Sequence, residues 1–165
     1  MSSTVIESLI EEVQAAFDQR PTDIEDGLAV NGADLLQLRK ACRLLAGAEC
    51  LLESGHYTLV VEASFVAIER TIEFRLLERG EMSPRDLPGT HTGVYQEAAR
   101  VGLFTEAVAN DLADLWRERR AKTYYQDGLA ARKRAQKMVA LATEVHAFVV
   151  GRSLKSHECI CSRET

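Results

Sequence analysis

Apolar residues recur at helical spacing in segment after segment of this 165-residue chain, and no strand-like alternation persists anywhere. The pattern predicts an all-α fold, an up-down bundle of about five to six helices built on two long antiparallel ones. Thr4 followed by Glu7 forms a capping-box signature before a first helix whose Val5, Leu9, Val13 and Phe17 repeat every four residues. That helix should end near Gln19, ahead of "RPTDIEDG", the best linker candidate. A second helix should start after Asn31 and run to about Ser54, with Leu35, Leu38, Cys42, Leu45 and Leu52 as its buried stripe and Gly55 as its stop.

The third helix should begin at His56 or Tyr57 and stop at Gly80. Its Val61, Phe65, Ile68, Ile72 and Leu76 trace one face, and Glu62, Glu69 and Glu73 mark the other side. The two prolines and two glycines of "EMSPRDLPGTHTG" read as a connection. A short helix over Gly93 to Val101 follows. Another runs from Thr105 through Trp116, carried by Val108, Leu112 and Leu115, into "LWRERRAKTYYQDG", where "QDG" breaks it. The last helix, from Leu129 to Gly151, should face inward through Ala135, Met138, Ala142, Val145 and Val149. Residues 1–30 thus form a helix and linker, 31–152 the bundle, and 153–165 a flexible tail.

Composition supports one packed domain, with 46% hydrophobic and 27% charged residues. The amino terminus lacks a basic n-region and carries Glu7, Glu11 and Glu12, unlike a secretory signal. The apolar run "MVALATEVHAFVV" is too short to span a bilayer and is interrupted by Glu144 and His146. The expectation is a cytoplasmic protein without a membrane partner.

Charge is unevenly distributed. The chain carries a net -5, which argues against a protein that coats nucleic acid over its whole surface. Between Arg117 and Lys137, however, eight cations against two acids leave that stretch at +6 and the rest of the chain at -11. Such asymmetry can focus a phosphate-bearing ligand onto one end of a small domain. It can equally be a solvated face whose cations satisfy a helix C-terminus. In a continuous α-helix Arg119 lies one turn beyond Leu115 and Arg120 one turn beyond Trp116, bordering the apolar face. Tyr124 and Tyr125 follow, placed to stack on a base or to cap the core.

Four cysteines and four histidines complete the inventory. Cys42 and Cys50 fall within helical patterns and read as small packed hydrophobes. In the tail "HECIC", His157, Cys159 and Cys161 offer three soft ligands to zinc, whereas a structural site calls for four at more regular spacing. The tail is therefore read as flexible, and neither a metal nor a cofactor is assigned. His146 reads as a partly buried or surface residue of the last helix. His91, in "GTHTG", either approaches the cationic site or caps the next helix.

The segments "LLAGAECLLESGHYTLVVEASFVAIERTIEFRLLERG", "THTGVYQEAARVGLF", "LWRERRAKTYYQDG" and "ATEVHAFVV", in this order over residues 33 to 151, resemble the HEPN superfamily of higher-eukaryote and prokaryote nucleotide-binding domains. The resemblance implies a helical, commonly dimeric domain whose catalytic members cleave RNA without metal. Their signature is an arginine, a polar residue directly after it, and a histidine after four to six intervening residues. Here polar Glu118 follows Arg117, and the histidine place falls on Lys122 or Tyr124; counted from Arg119, it falls on Tyr124. No register supplies a histidine. Lysine and tyrosine titrate near 10, so neither shuttles protons near neutrality as imidazole does.

The resemblance therefore implies a branch with a degenerate ribonuclease motif, of toxin-antitoxin or defence type. Arg117, Arg119, Lys122 and Tyr124 would hold the catalytic places, with Arg120, Tyr125 and His91 as ligand contacts. The implied partners are RNA or a nucleotide, a second copy of the chain, and a nucleotidyltransferase of the kind that modifies a tyrosine in certain toxin members; Tyr124 matches that place. The competing expectation is a non-catalytic helical module for dimerisation or partner binding.

Overall fold

A computed structural model describes residues 3–86 and 91–161, excluding the side chains of His91, Tyr124 and Tyr125. The described residues form an all-α bundle with no strand. Its helices are α1 (Ser3–Asp18), α2 (Ala33–Glu53), α3 (Tyr57–Glu78), α4 (His91–Arg100), α5 (Glu106–Leu115), α6 (Ala121–Tyr125) and α7 (Arg132–Val150). A π-helical turn over Trp116–Arg120 joins α5 to α6, and a 3-10 turn covers Ser156–Glu158. None of the helices is long and apolar enough to cross a membrane.

The bundle is organised around α3. Ala48 of α2, Val60 and Phe65 of α3, and Ala135 and Val139 of α7 pack together at one end, while Leu38, Phe74 and Val150 meet at the other. Since α2 reaches the first end late in its run and α3 and α7 reach it early, α2 is antiparallel to both. Between the two ends, Ile68, Ile72 and Leu76 pack against Tyr95 and Ala98 of α4, Leu112 of α5 and Val145 and Val149 of α7. Trp116 touches both this central cluster and the first end.

The expected inner faces of α2, α3 and α7 occupy the core, apart from Leu35, Leu52 and Met138, which are half-buried. At Glu69 and Glu73 the other side of α3 is interior as well. They are 1% and 2% exposed, because α2, α4 and α7 pack around the middle of this helix. Arg70 Nη2 donates to Glu73 Oε1 at 2.8 Å. Burial and the charge of Glu69 push the Tyr95 phenol far above its ordinary range, against a smaller opposing pull from Arg120.

The first helix forms over the expected stretch, but it includes Ser3 and Thr4, so Thr4 lies within the helix and does not cap it, and no residue of α1 is buried. Its stripe of Val5, Leu9, Val13 and Phe17 is open to solvent, Phe17 at 85%.

Candidate functional site: a cationic pocket at one end of the bundle

The opening of "LWRERRAKTYYQDG" folds as α-helix to Leu115 and then widens. The Ala121 N–H donates to the Trp116 carbonyl, five residues back, where an α-helix would bond four back. This widened turn changes the phase of the side chains that follow, so consecutive arginines part company.

Arg120 turns inward. It is buried, with Nε donating to Glu62 Oε2 at 2.8 Å, Nη2 donating to Glu62 Oε1, and the guanidinium lying 5.3 Å from the centre of the Trp116 ring. Such a two-pronged pair, buried on the arginine side and half-buried on the glutamate side, anchors the π-turn to α3. It also spends the charge that the sequence offers to a ligand.

Arg119 turns the other way, into a cavity of about 480 Å³. Val61, Phe65, Leu115 and Met138 supply apolar wall, and Arg119, Lys122, Arg134 and Lys137 supply cations. The Glu118 carboxylate also lines the cavity and feels the charge of Arg119, but neither Arg119 nor Lys137 forms an ion pair with a carboxylate among the described residues. Lys122 Nζ donates to Glu118 Oε2 at 2.9 Å across one exposed turn, and this contact holds the Glu118 carboxyl below its usual range. Arg134 Nη1 donates to the Leu129 carbonyl at 2.5 Å.

The loop after α6 completes the cavity. The Gly128 N–H donates to the Lys122 carbonyl at 3.1 Å, and a Cβ at Gly128 would lie 2.8 Å from the Lys122 carbonyl carbon and 2.9 Å from Thr123 N. Only a residue without a side chain lets the loop return so closely onto α6. The glycine of "QDG" therefore does more than break a helix: it sets the spacing between α6 and the start of α7.

Of the sequence-predicted site residues, the structure brings Arg119 and Lys122 to the cavity and sends Arg120 into the core. Arg117 stays on the exposed surface, paired with Asp114 at 2.9 Å. The side chains of Tyr124, Tyr125 and His91 lie outside the described ones, although their backbones belong to α6 and α4. Arg134 and Lys137 were missed as individual contacts. The only signal for them was the charge of the Arg132–Lys137 run, and helical phase alone does not say which of those cations face α3.

A second constellation lies toward the opposite end of α2, α3 and α7. His146 is 4% exposed rather than at the surface, and its Nε2 points at Cys42, Cys159 and Cys161, with Sγ distances of 3.7, 3.4 and 3.2 Å. Its Nδ1 lies 2.9 Å from Thr71 Oγ1. Burial works against protonation of this imidazole, but hydrogen bonds to Cys159 and Cys42 outweigh it and lift the pKa to about 9. The contact between Cys159 and Cys161 pulls the first thiol down and pushes the second up, so negative charge gathers on Cys159. These are the residues that could hold a metal.

This arrangement corrects the sequence reading of the cysteines. Counting ligands in the tail alone left three and no metal, but the fold adds Cys42 and His146 and leaves His157 out, exposed beside Glu158. Cys42 is buried yet chemically engaged, and Cys50 is exposed rather than packed.

The architecture and pocket define the class: a small all-α bundle with a cationic cavity beside a π-turn. The family model described as a domain of unknown function (DUF8154) matches residues 1–161, and the chain belongs to that family. No curated protein and no solved structure matches the chain.

Proposed function

We propose that the pocket between α3, the π-turn and the start of α7 binds the phosphate of RNA or of a nucleotide, as a HEPN-like domain of toxin-antitoxin or defence type. The observation that carries this reading is the convergence of Arg119, Lys122, Arg134 and Lys137 on one cavity with an apolar wall. Arg119, Arg134 and Lys137, outside any ion pair among the described residues, are free to meet phosphate oxygens, and the wall accepts a base or ribose face.

Strong cleavage is not part of the proposal. The family's mechanism needs a group that moves protons at the ribose 2'-hydroxyl near neutral pH, and the motif places Lys122 or Tyr124 there. The resemblance assigns Tyr124 a second role as acceptor of AMP from a partner nucleotidyltransferase. The decisive measurement is binding and cleavage of single-stranded RNA by the purified chain, with Arg119→Ala and Tyr124→Phe beside it. Binding lost in Arg119→Ala supports the proposal. Absence of both activities in the unmutated chain removes it.

The second reading, a non-catalytic interaction module, draws on a different observation: Arg117, Arg120 and Lys122 are each engaged by a carboxylate, and α1 presents an uncovered apolar stripe. On this reading, removing residues 1–20 abolishes self-association or partner capture while RNA binding stays absent.

A further inference from the structure

Cys42, His146, Cys159 and Cys161 form a donor set whose ligand atoms all lie within 4.8 Å of one another. Two sulfurs on one tetrahedral zinc stand about 3.8 Å apart, and a sulfur and an imidazole nitrogen about 3.6 Å, from bond lengths near 2.3 and 2.0–2.1 Å. The Cys42 and Cys159 sulfurs are 3.7 Å apart, and the three sulfur to His146 Nε2 separations run from 3.2 to 3.7 Å. The Cys42 to Cys159 spacing is far beyond the roughly 2.05 Å of a disulfide.

The surroundings are built for the same purpose. Thr71 Oγ1 lies 2.9 Å from His146 Nδ1, placed to accept from it once a metal takes the Nε2 proton's place and binds the lone pair that faces the sulfurs. Leu38, Phe74 and Val150 pack around Cys42, and Cys159 and Ile160 close over them, keeping water from the inner side. The tail is held in place independently of the thiols. Arg39 donates to the Glu158 carbonyl at 2.7 Å and to its carboxylate at 2.8 Å, and Lys155 pairs with Asp34 at 2.5 Å. Arg39 also donates to the Gly27 carbonyl at 3.1 Å. Ile160 fits against Gly27 so closely that a Cβ there would lie 2.5 Å from its Cδ1, and Gly27 has φ 86°, where a side chain is disfavoured.

We propose that Cys42, His146, Cys159 and Cys161 hold one tetrahedral zinc ion, which fastens the C-terminal segment across α2 and α7. Three thiolates with one imidazole are the donors that borderline-soft zinc selects, and four protein ligands make a closed, structural site with no position for substrate. The thiol protons leave to solvent as the metal binds. His146 lies eight residues along α7 from Met138 of the cationic pocket, about 12 Å at 1.5 Å per residue, so the zinc is separate from any chemistry there.

The test uses the full chain purified under reductant without chelator. Elemental analysis is expected to give one zinc per chain. Cobalt(II) in its place is expected to show thiolate-to-cobalt charge transfer in the near ultraviolet and the visible bands of a tetrahedral ion. Cys50→Ser should leave both unchanged. Cys161→Ser, a change at an exposed ligand, should weaken the charge-transfer band and speed zinc release to a chelator. A native-state thiol count supplies a readout independent of folding of the variants: Cys50 reacts readily, and Cys42, Cys159 and Cys161 follow only after chelation. Any of three results overturns the proposal: no zinc retained after reconstitution and desalting, four thiols that react together, or an intact mass showing two of these cysteines oxidised to a disulfide.

Discussion

Arg120 and Glu62 form a two-pronged ion pair between the π-turn and α3, with the Trp116 ring stacked beside the guanidinium. Removing Arg120 strands the Glu62 charge, which keeps 24% of its side chain in solvent, so the cost is about 1 to 3 kcal/mol, below that of a fully buried pair. Arg120→Ala should therefore lower unfolding stability by about that amount in urea titration. Arg117→Ala, which breaks only an exposed pair with Asp114, should stay within about 0.5 kcal/mol. Equal effects from the two changes would contradict a structural role particular to Arg120.

Arg119→Ala and Lys137→Ala should leave stability nearly unchanged, since neither side chain forms an ion pair with a carboxylate among the described residues. Each should weaken RNA binding, and each should lower the slope of log affinity against log salt by roughly 0.7, the value for one phosphate contact on a single strand. Fluorescence anisotropy at several salt concentrations measures this. An unchanged slope in both variants would place phosphate elsewhere.

Gly128→Ala forces a Cβ against the backbone of Lys122 and Thr123. Neither side of that contact is a flexible side chain, so α6 and the loop must separate. The expected cost is about 1 to 3 kcal/mol, with weaker ligand binding because Lys122 moves with the backbone. Thermal unfolding and the same anisotropy titration report the two effects.

The tail anchor has a pH signature. Burial tends to raise the Asp34 carboxyl pKa, but the hydrogen bond and charge of Lys155, with the Leu35 N–H, outweigh it and hold the carboxyl below its ordinary range. The Lys155 ammonium is raised by Asp34 first, with Glu78 and Glu158 adding to it. A depressed acid stabilises the fold above its unfolded value, about pH 4, and this is lost as pH falls through the folded value. A raised base stabilises below its unfolded value, about pH 10.4, and this is lost as pH climbs through the folded one. Asp34→Asn should cost less than about 1 kcal/mol at pH 7, because Lys155 is 44% exposed. Its cost should vanish in acid below the folded value of Asp34, as read from urea unfolding at stepped pH.

Much of the fold was legible because helix period is local. Val61, Phe65, Ile68, Ile72 and Leu76 share a face by spacing alone, and all five are core. The stop at Gly55 and the break at "QDG" were legible for the same reason, since cap and turn chemistry act over a few residues. The candidate pocket was legible as charge but not as geometry, because "WRERR" carries no sign that it folds as a π-turn. In a uniform α-helix Arg119 and Arg120 would both border the apolar face; the widened turn gives one to the cavity and one to Glu62.

What the sequence determined by itself was therefore the helical class, most helix bounds and the cationic character of the stretch from Arg117 to Lys137. Tertiary structure alone decided which charges are buried and which ligands meet. Glu69 and Glu73 are interior because α3 is surrounded, and no single-helix pattern records how many neighbours a helix has. Cys42 and His146 stand 104 residues apart, and they face one another only because α2 and α7 pack side by side and the tail folds back across both. Local spacing specifies a face; packing specifies what that face touches.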